Sequence, residues 1–340
     1  MGIQKIQKLN LFKSSVLLNF IIIIVSFLVV IVILEITLRL FDPIGIEYFV
    51  EVRRYFASMQ NNDNYAYIHR PGYTDVLQGV EVKINSHGFR GPEFNIKKST
   101  NMTRILILGD SVVFGWGAPQ SDIFALQLNN MLKKLRNNIE VIPVGVGSWN
   151  TRTEYEFLKV KGLQFEPNIV VHLITSNDIY PKKSGRTDIS KEKLFKEKNL
   201  SSSEILSKIK RNVVNRSYFF SYIQYYLKRR LIFNKQIRAN YSSPLWKDTE
   251  YALNGIVKLC QKRKITYIPF LYGTNKSINK NPIMKLYSDY FAKNDIEFIY
   301  MLNERIFDRQ FSNTIVDSHP NSEGHTLIAK IIYTHLIPFL

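Results

Sequence analysis

The hydrophobic pattern divides the chain into two parts, one continuous and one alternating. From Val16 to Leu34 the residues read VLLNFIIIIVSFLVVIVIL, nineteen positions whose polar members are Asn19 and Ser26. At about 1.5 Å per residue, a helix of that length roughly matches the ~30 Å hydrocarbon core of a bilayer. A secretory leader carries a shorter apolar region of about 7–15 residues and a small-residue cleavage site. Here residues 35–40 read EITLRL instead. The pattern predicts an uncleaved transmembrane anchor over 16–36, in contact with membrane lipid, after a cytoplasmic N-terminus of residues 1–15. Lys5, Lys8 and Lys13 precede the span without an acidic residue, whereas Glu35, Arg39, Asp42, Glu47 and Glu51 follow it with mixed sign. That asymmetry keeps the N-terminus in the cytoplasm and exports the remainder.

Beyond the span, short apolar runs alternate with segments of helical period. Arg104–Leu108 (RILIL) is closed by Gly109 and Asp110, the mark of a buried parallel strand. Ser121–Leu135 then places Phe124, Leu128, Met131, Leu132 and Leu135 at helical spacing. Further strands are expected at Glu140–Val144, Ile169–Ile174, Thr266–Leu271 and Glu297–Met301. Helices are expected at Thr153–Gly162, Tyr251–Lys264, Met284–Lys293 and Ser322–Leu336. Strands separated by helices imply a parallel sheet covered on both faces, with working residues in the loops after the strands' carboxyl ends. Asp110-Ser111, Gly145 to Asn150 and Ser176-Asn177-Asp178 stand at those positions.

Two stretches interrupt the alternation. Residues 37–100 carry Pro43, Pro71 and Pro92 and read as a membrane-proximal connector, leaving 101–340 as the folded domain. Residues 182–240 form an insertion with sixteen Lys or Arg against four Asp or Glu, which is most of the chain's net charge of +18. Its later half, SYFFSYIQYYLKRRLIF, interleaves aromatics with cations. Such a segment suits anionic headgroups, an acidic or lipid-linked glycan, or a solvated helical lid. Export argues against nucleic acid as a partner. Hydrophobic residues at 45% and charged residues at 22% exclude a disordered or polytopic chain. A single cysteine, Cys260, excludes an internal disulfide and a Cys-rich zinc site.

The chemistry-bearing residues are few. Ser111 directly follows a strand, and a serine hydroxyl needs a base to become a nucleophile. Asp317-Ser318-His319-Pro320-Asn321, just before the final helix, offers an imidazole and a carboxylate within three residues. Asp110 reads as support for the turn. His172 sits among apolar strand residues and His325 on the last helix, so both read as packing residues. Arg90 and Glu93 are placed to pair. Trp116 and Trp149 could flank a pocket or fill the core.

These blocks resemble the SGNH/GDSL hydrolase superfamily, in its membrane-anchored branch. The matching segments are NSHGFRGPEF (85–94), RILILGDSVVFGWGA (104–118), VIPVGVGSWNT (141–151), IVVHLITSND (169–178) and VDSHPNSEGHTLIAK (316–330). They span most of residues 85–340, and the insertion has no counterpart in the pattern. The resemblance implies a flavodoxin-like three-layer α/β/α sandwich and ester hydrolysis or acyl transfer without a cofactor or metal. It makes Ser111 the nucleophile, His319 the general base and Asp317 the residue that orients the imidazole. It also implies an oxyanion hole from the Ser111 N–H, a backbone N–H of the second block and the Asn177 side chain. Gly147 is the favoured second donor with Ser148 beside it. Three departures stand out: the Asp precedes the His by two residues rather than three, Ser148 stands where a glycine is commoner, and Ser176 precedes Asn177-Asp178. The implied activity is an esterase or acyltransferase acting on acyl, most simply acetyl, esters of cell-envelope glycans or lipids. An O-acetyltransferase of surface polysaccharide and a non-catalytic polysaccharide assembly factor are the alternatives. A metal-dependent phosphoesterase lacks the spaced ligands.

Overall fold

A computed structural model describes residues 2–180, 216–232, 240–273, 279–301 and 309–340. Most of the expected insertion, 181–215 and 233–239, lies outside the described residues. The chain divides into two compact units, Met1–Val50 with Leu200–Lys235, and Glu51–Asn199 with Gln236–Leu340.

In the first unit, α1 (Gly2–Phe41) is one uninterrupted helix. Its stretch Val16–Phe41 has a mean hydropathy of 3.4 and none of its apolar window is buried by the protein. Among the described residues it is the one helix long and apolar enough to cross a membrane, a candidate span. Asp42 ends it and caps the next element: its carboxylate accepts the N–H groups of Ile46 (2.6 Å) and Glu47 (2.8 Å) at the start of α2 (Glu47–Ala57).

The second unit begins at Glu51, within α2. Two antiparallel hairpins follow, β1–β2 (Met59–Asn62, Ala66–His69) and β3–β4 (Thr74–Leu77, Val80–Lys83). Then come β5 (Thr103–Gly109), α3 (Ser111–Phe114), α4 (Phe124–Leu135), β6 (Ile139–Gly145), α5 (Thr151–Val160) and β7 (Ile169–Ile174). After α6 (Tyr218–Ile232), which belongs to the first unit, the second resumes with α7 (Pro244–Arg263), β8 (Thr266–Leu271), α8 (Pro282–Lys293), β9 (Ile299–Tyr300) and α9 (Ser322–Leu336). The five-stranded sheet is parallel throughout, in the order β6-β5-β7-β8-β9.

The strands are nearly continuous apolar runs because both faces are covered. Ile105, Ile107, Val171, Leu173, Ile268 and Phe270 pack on one face against Phe124, Leu128 and Leu132 of α4 and Ile328, Ile332 and Leu336 of α9. On the other side Ile174 and Leu271 join Trp246 and Leu253 of α7 and Tyr287 and Phe291 of α8. The result is a three-layer α/β/α sandwich. The first strand of the sheet, β5, has β6 on one side and β7 on the other, so chain order reverses at it, and this reversal opens the crevice at its carboxyl end.

Two expectations need correction. The connector expected over 37–100 is, from Glu51 onward, part of the second unit: Tyr55, Tyr67, His69, Phe89 and Arg90 are all buried there. The helix expected at Tyr251–Lys264 begins seven residues earlier, at Pro244. Ser243 accepts the Trp246 N–H (3.3 Å) and proline occupies the first turn, where its missing donor costs nothing.

Candidate active site

The position of Ser111 follows from the end of β5. At Gly109 the chain leaves β5, and Asp110 caps the four-residue helix α3, its Oδ1 accepting the Val112 N–H at 3.0 Å. Ser111 is thereby the first residue of a helical turn, where the backbone N–H has no carbonyl four residues back. Gly109 pairs in register with Gly145, the last residue of β6. A Cβ on Gly145 would lie 2.3 Å from the Phe114 backbone N, so only glycine lets the serine turn close over β6.

The loop before α9 brings the partners. His319 Nε2 lies 2.8 Å from Ser111 Oγ, and His319 Nδ1 lies 2.5 Å from Asp317 Oδ1. An ionised Asp317 only accepts, so Nδ1 carries the proton and Nε2 is left to accept from the serine hydroxyl. The two-residue spacing works because the loop folds back on itself. Asp317 N donates to Thr314 Oγ1 (3.0 Å), Asn313 N donates to the His319 carbonyl (2.9 Å), and the His319 N–H also reaches Asp317 Oδ1 (3.2 Å). Asn313 Nδ2 reaches Asp317 Oδ2 (3.1 Å) and the Trp116 carbonyl (3.0 Å), tying the carboxylate to the loop after α3. Asp317 is buried and His319 is partly exposed.

The expected oxyanion donors are arranged unequally. Asn177 is exposed and one N–H of its amide reaches Asp110 Oδ2 at 2.9 Å, which leaves the second N–H of that group. Gly147 departs from expectation: its N–H donates to the Tyr55 hydroxyl at 2.6 Å. Tyr55 Oη in turn lies 2.7 Å from His69 Nε2, and His69 Nδ1 lies 3.0 Å from the Gly88 carbonyl. One proton order satisfies the whole chain, since a carbonyl only accepts: Gly147 to Tyr55, Tyr55 to Nε2, Nδ1–H to Gly88. Complete burial pushes the His69 pKa down to about 4, so the ring is neutral, as this order requires. A Cβ at position 147 would sit 2.5 Å from the Tyr55 ring, so the glycine is needed for this approach. Tyr67 holds the same loop through the Ser148 carbonyl (2.8 Å), and Ser148 is exposed with a left-handed φ of 63°.

Behind Asn177 lies a buried polar layer. Thr175 Oγ1 is 2.5 Å from Asn177 Oδ1 and 3.1 Å from both Asp110 Oδ2 and Asp178 Oδ1. A hydroxyl donates one proton, so Thr175 donates to one of these three oxygens at a time. Burial, then the negative charges of Glu154 and Asp110, raise the Asp178 pKa well above its ordinary value. Asp178 is buried in this layer, where its carboxylate also accepts the Thr175 N–H at 2.6 Å. Deeper still, His172 lies 2.9 Å from Glu154 Oε2 and 2.8 Å from Tyr267 Oη, a satisfied core histidine.

The remaining sequence candidates resolve as structure. Arg90 does not pair with Glu93. Its guanidinium donates to the carbonyls of Gly115 (2.6 Å), Ala118 (2.8 Å) and Glu81 (2.9 Å), clamping the loop that follows Ser111, while desolvation lowers its pKa to about 10. Glu93 instead accepts from Ser86. Trp116 and Trp149 are both buried, with the Trp116 ring centroid 6.3 Å from that of His319 and Trp149 Nε1 donating to the Tyr67 carbonyl. His325 is buried against Phe124. The sequence offers no local signal for Tyr55, Tyr67 and His69, whereas Arg90 stands in the Asn-x-x-Gly-Phe-Arg segment with a different partner from the one expected. Among the described residues no group of His, Cys, Asp and Glu could hold a metal ion.

No protein-family model and no curated protein matches the chain. Solved structures do. The chain is similar to TesA (12% identity, 70% of this chain and 100% of that one, TM-score 0.46). It is similar to the psychrotrophic esterase EstA from Pseudoalteromonas sp. (14%, 70% and 98%, TM-score 0.42). It is also similar to the lipase/acylhydrolase from Enterococcus faecalis (12%, 70% and 97%, TM-score 0.41).

Proposed function

We propose that this chain is a membrane-anchored serine esterase of SGNH type that forms an acyl-enzyme on Ser111. The observation that carries the reading is the 2.8 Å approach of His319 Nε2 to Ser111 Oγ, with Asp317 behind the imidazole at 2.5 Å. In the reaction, Ser111 Oγ attacks the ester carbonyl carbon while its proton passes to His319 Nε2. The resulting oxyanion accepts from the Ser111 N–H and the second N–H of Asn177. Collapse breaks the bond to the leaving alkoxide, which takes the proton from His319, and Ser111 retains the acyl group. Water, or a sugar hydroxyl in acyl transfer, then attacks the acyl-enzyme through the same base. Asp317 holds the imidazole tautomer and stabilises its charged form. With Gly147 engaged by Tyr55, this hole has two donors in place of the expected three. Removing a donor of this kind typically costs about 10²–10³ in turnover.

The substrate class that suits an anchored, exported domain is an acyl ester of a cell-envelope glycan or lipid, with the N-terminus in the cytoplasm. Ser111→Ala is expected to abolish hydrolysis of p-nitrophenyl acetate; undiminished turnover would remove Ser111 from its role. Protease added outside intact cells should degrade the domain after residue 51, and full protection would reverse the orientation.

A further inference from the structure

We propose that the start of α6 is a second membrane contact, an aromatic helix end held in the lipid headgroup layer by Glu35. The proposal rests on reading residues 16–36 as the anchor, and it assigns a partner to the part of the basic insertion that the structure describes.

Glu35 is the first residue after the apolar run that ends at Leu34, and α1 continues past it to Phe41. Its carboxylate accepts the Ser217 hydroxyl (2.7 Å) and the backbone N–H groups of Tyr218 (3.1 Å) and Phe219 (2.9 Å). The first N–H groups of a helix have no internal partner, and its N-terminal dipole favours a negative charge. An acidic residue of the anchor therefore caps a helix that enters the chain more than 180 residues later. Arg39, one turn on, strengthens the joint: Nε reaches Glu35 Oε1 (2.7 Å), Nη2 donates to the Arg216 carbonyl (2.8 Å), and the guanidinium lies 4.8 Å from the Tyr218 ring centroid.

Depth follows from helix geometry. The four residues from Glu35 to Arg39 rise about 6 Å, which matches the roughly 5–8 Å headgroup layer on one side of a bilayer. Whatever is bonded to both residues lies at that level when 16–34 fills the hydrocarbon. The bonded segment carries Tyr218, Phe219, Phe220 and Tyr222, and ring side chains of this kind collect at membrane interfaces. Phe220, at 37% exposure, is uncovered by its own unit. Lys228, Arg229 and Arg230 follow in sequence, the charge that anionic headgroups attract. Continuity with the span, the cluster of aromatic residues at the helix start and the charge all favour a lipid surface over a protein partner.

The test uses the full-length chain in a Cys260→Ala background, reconstituted in phosphatidylcholine–phosphatidylglycerol vesicles. Single cysteines replacing Phe220, Ile24 in the span, and exposed Val76 of the second unit are labelled with bimane. Quenching is compared between lipids carrying a nitroxide near the glycerol end of the acyl chain and at its middle. Position 220 should be quenched several-fold more than position 76, and more by the shallow nitroxide than by the deep one, with the reverse preference at 24. Glu35→Ala should at least halve quenching at 220 and leave 24 unchanged. Quenching at 220 no stronger than at 76, with 24 quenched, overturns the proposal alone, as does an unaltered 220 signal in Glu35→Ala. An unquenched position 24 overturns the anchor reading and this proposal with it.

Discussion

Replacing Tyr55 by Phe isolates one oxygen atom. The ring stays, so its packing against Phe114 (4.9 Å between centroids) and Trp116 (5.0 Å) is kept. What disappears is the acceptor for the Gly147 N–H at 2.6 Å and the donor to His69 Nε2 at 2.7 Å. Both orphaned groups are buried, where an unmet donor or acceptor costs about 1–3 kcal/mol. Relief from burying the hydroxyl offsets part of this, so the expected loss is about 2–4 kcal/mol, or roughly 30- to 1,000-fold in the folding equilibrium. All three tryptophans, Trp116, Trp149 and Trp246, lie in the second unit, so its urea unfolding in detergent can be followed by their fluorescence. Tyr67 pins the same loop, and its Phe variant should be non-additive with Tyr55→Phe by about 0.5–3 kcal/mol. A Tyr55→Phe loss under about 0.5 kcal/mol, or strict additivity of the pair, would show that the relay does not hold the loop.

Two further outcomes follow from the site. Asp317→Asn removes the acceptor that fixes the His319 tautomer, so kcat for p-nitrophenyl acetate should fall about 10³–10⁴-fold with KM little changed; a loss under tenfold contradicts the assigned role. His325 is buried and its pKa is lowered from 6.5 to about 3, so the folded chain keeps it neutral while the unfolded chain protonates first as pH falls. Its contribution to stability is therefore whole above about pH 6.5 and is lost on acidification toward pH 3. His325→Gln should remove close to one proton, about 1.4 kcal/mol per pH unit, from the acid slope of unfolding free energy between pH 6 and 4. Identical slopes in the two proteins would show that the ring is protonated in the fold.

The sheet was legible because burial on both faces writes itself as consecutive apolar residues: Ile169–Ile174 and Thr266–Leu271 stand in the structure at the limits expected from sequence. The last helix did so too, because Asn321 marks its start with a cap to Gly324 N. Although 85–94 was one of the matching blocks, the fold of residues 51–94 was not legible. Their strands are four residues long, and the value of Tyr55, His69 and Arg90 lies in partners up to 92 residues distant, which no local period records. Gly147 shows the limit from another side. A glycine in the second block suggested a free amide for an oxyanion, whereas its lack of a Cβ admits a tyrosine ring and that amide is already bonded. Asn313 is a polar loop residue like many others until the fold sets it between Asp317 and Trp116.

The central claim is that His319 makes Ser111 a nucleophile, and a fluorophosphonate probe reads this directly because it bonds covalently to an activated serine. Mass spectrometry of the labelled full-length chain should find one adduct, on the peptide containing Ser111, that vanishes in Ser111→Ala and slows by orders of magnitude in His319→Ala. An adduct elsewhere with Ser111 unmodified, or labelling of Ser111 at an undiminished rate without His319, would contradict it.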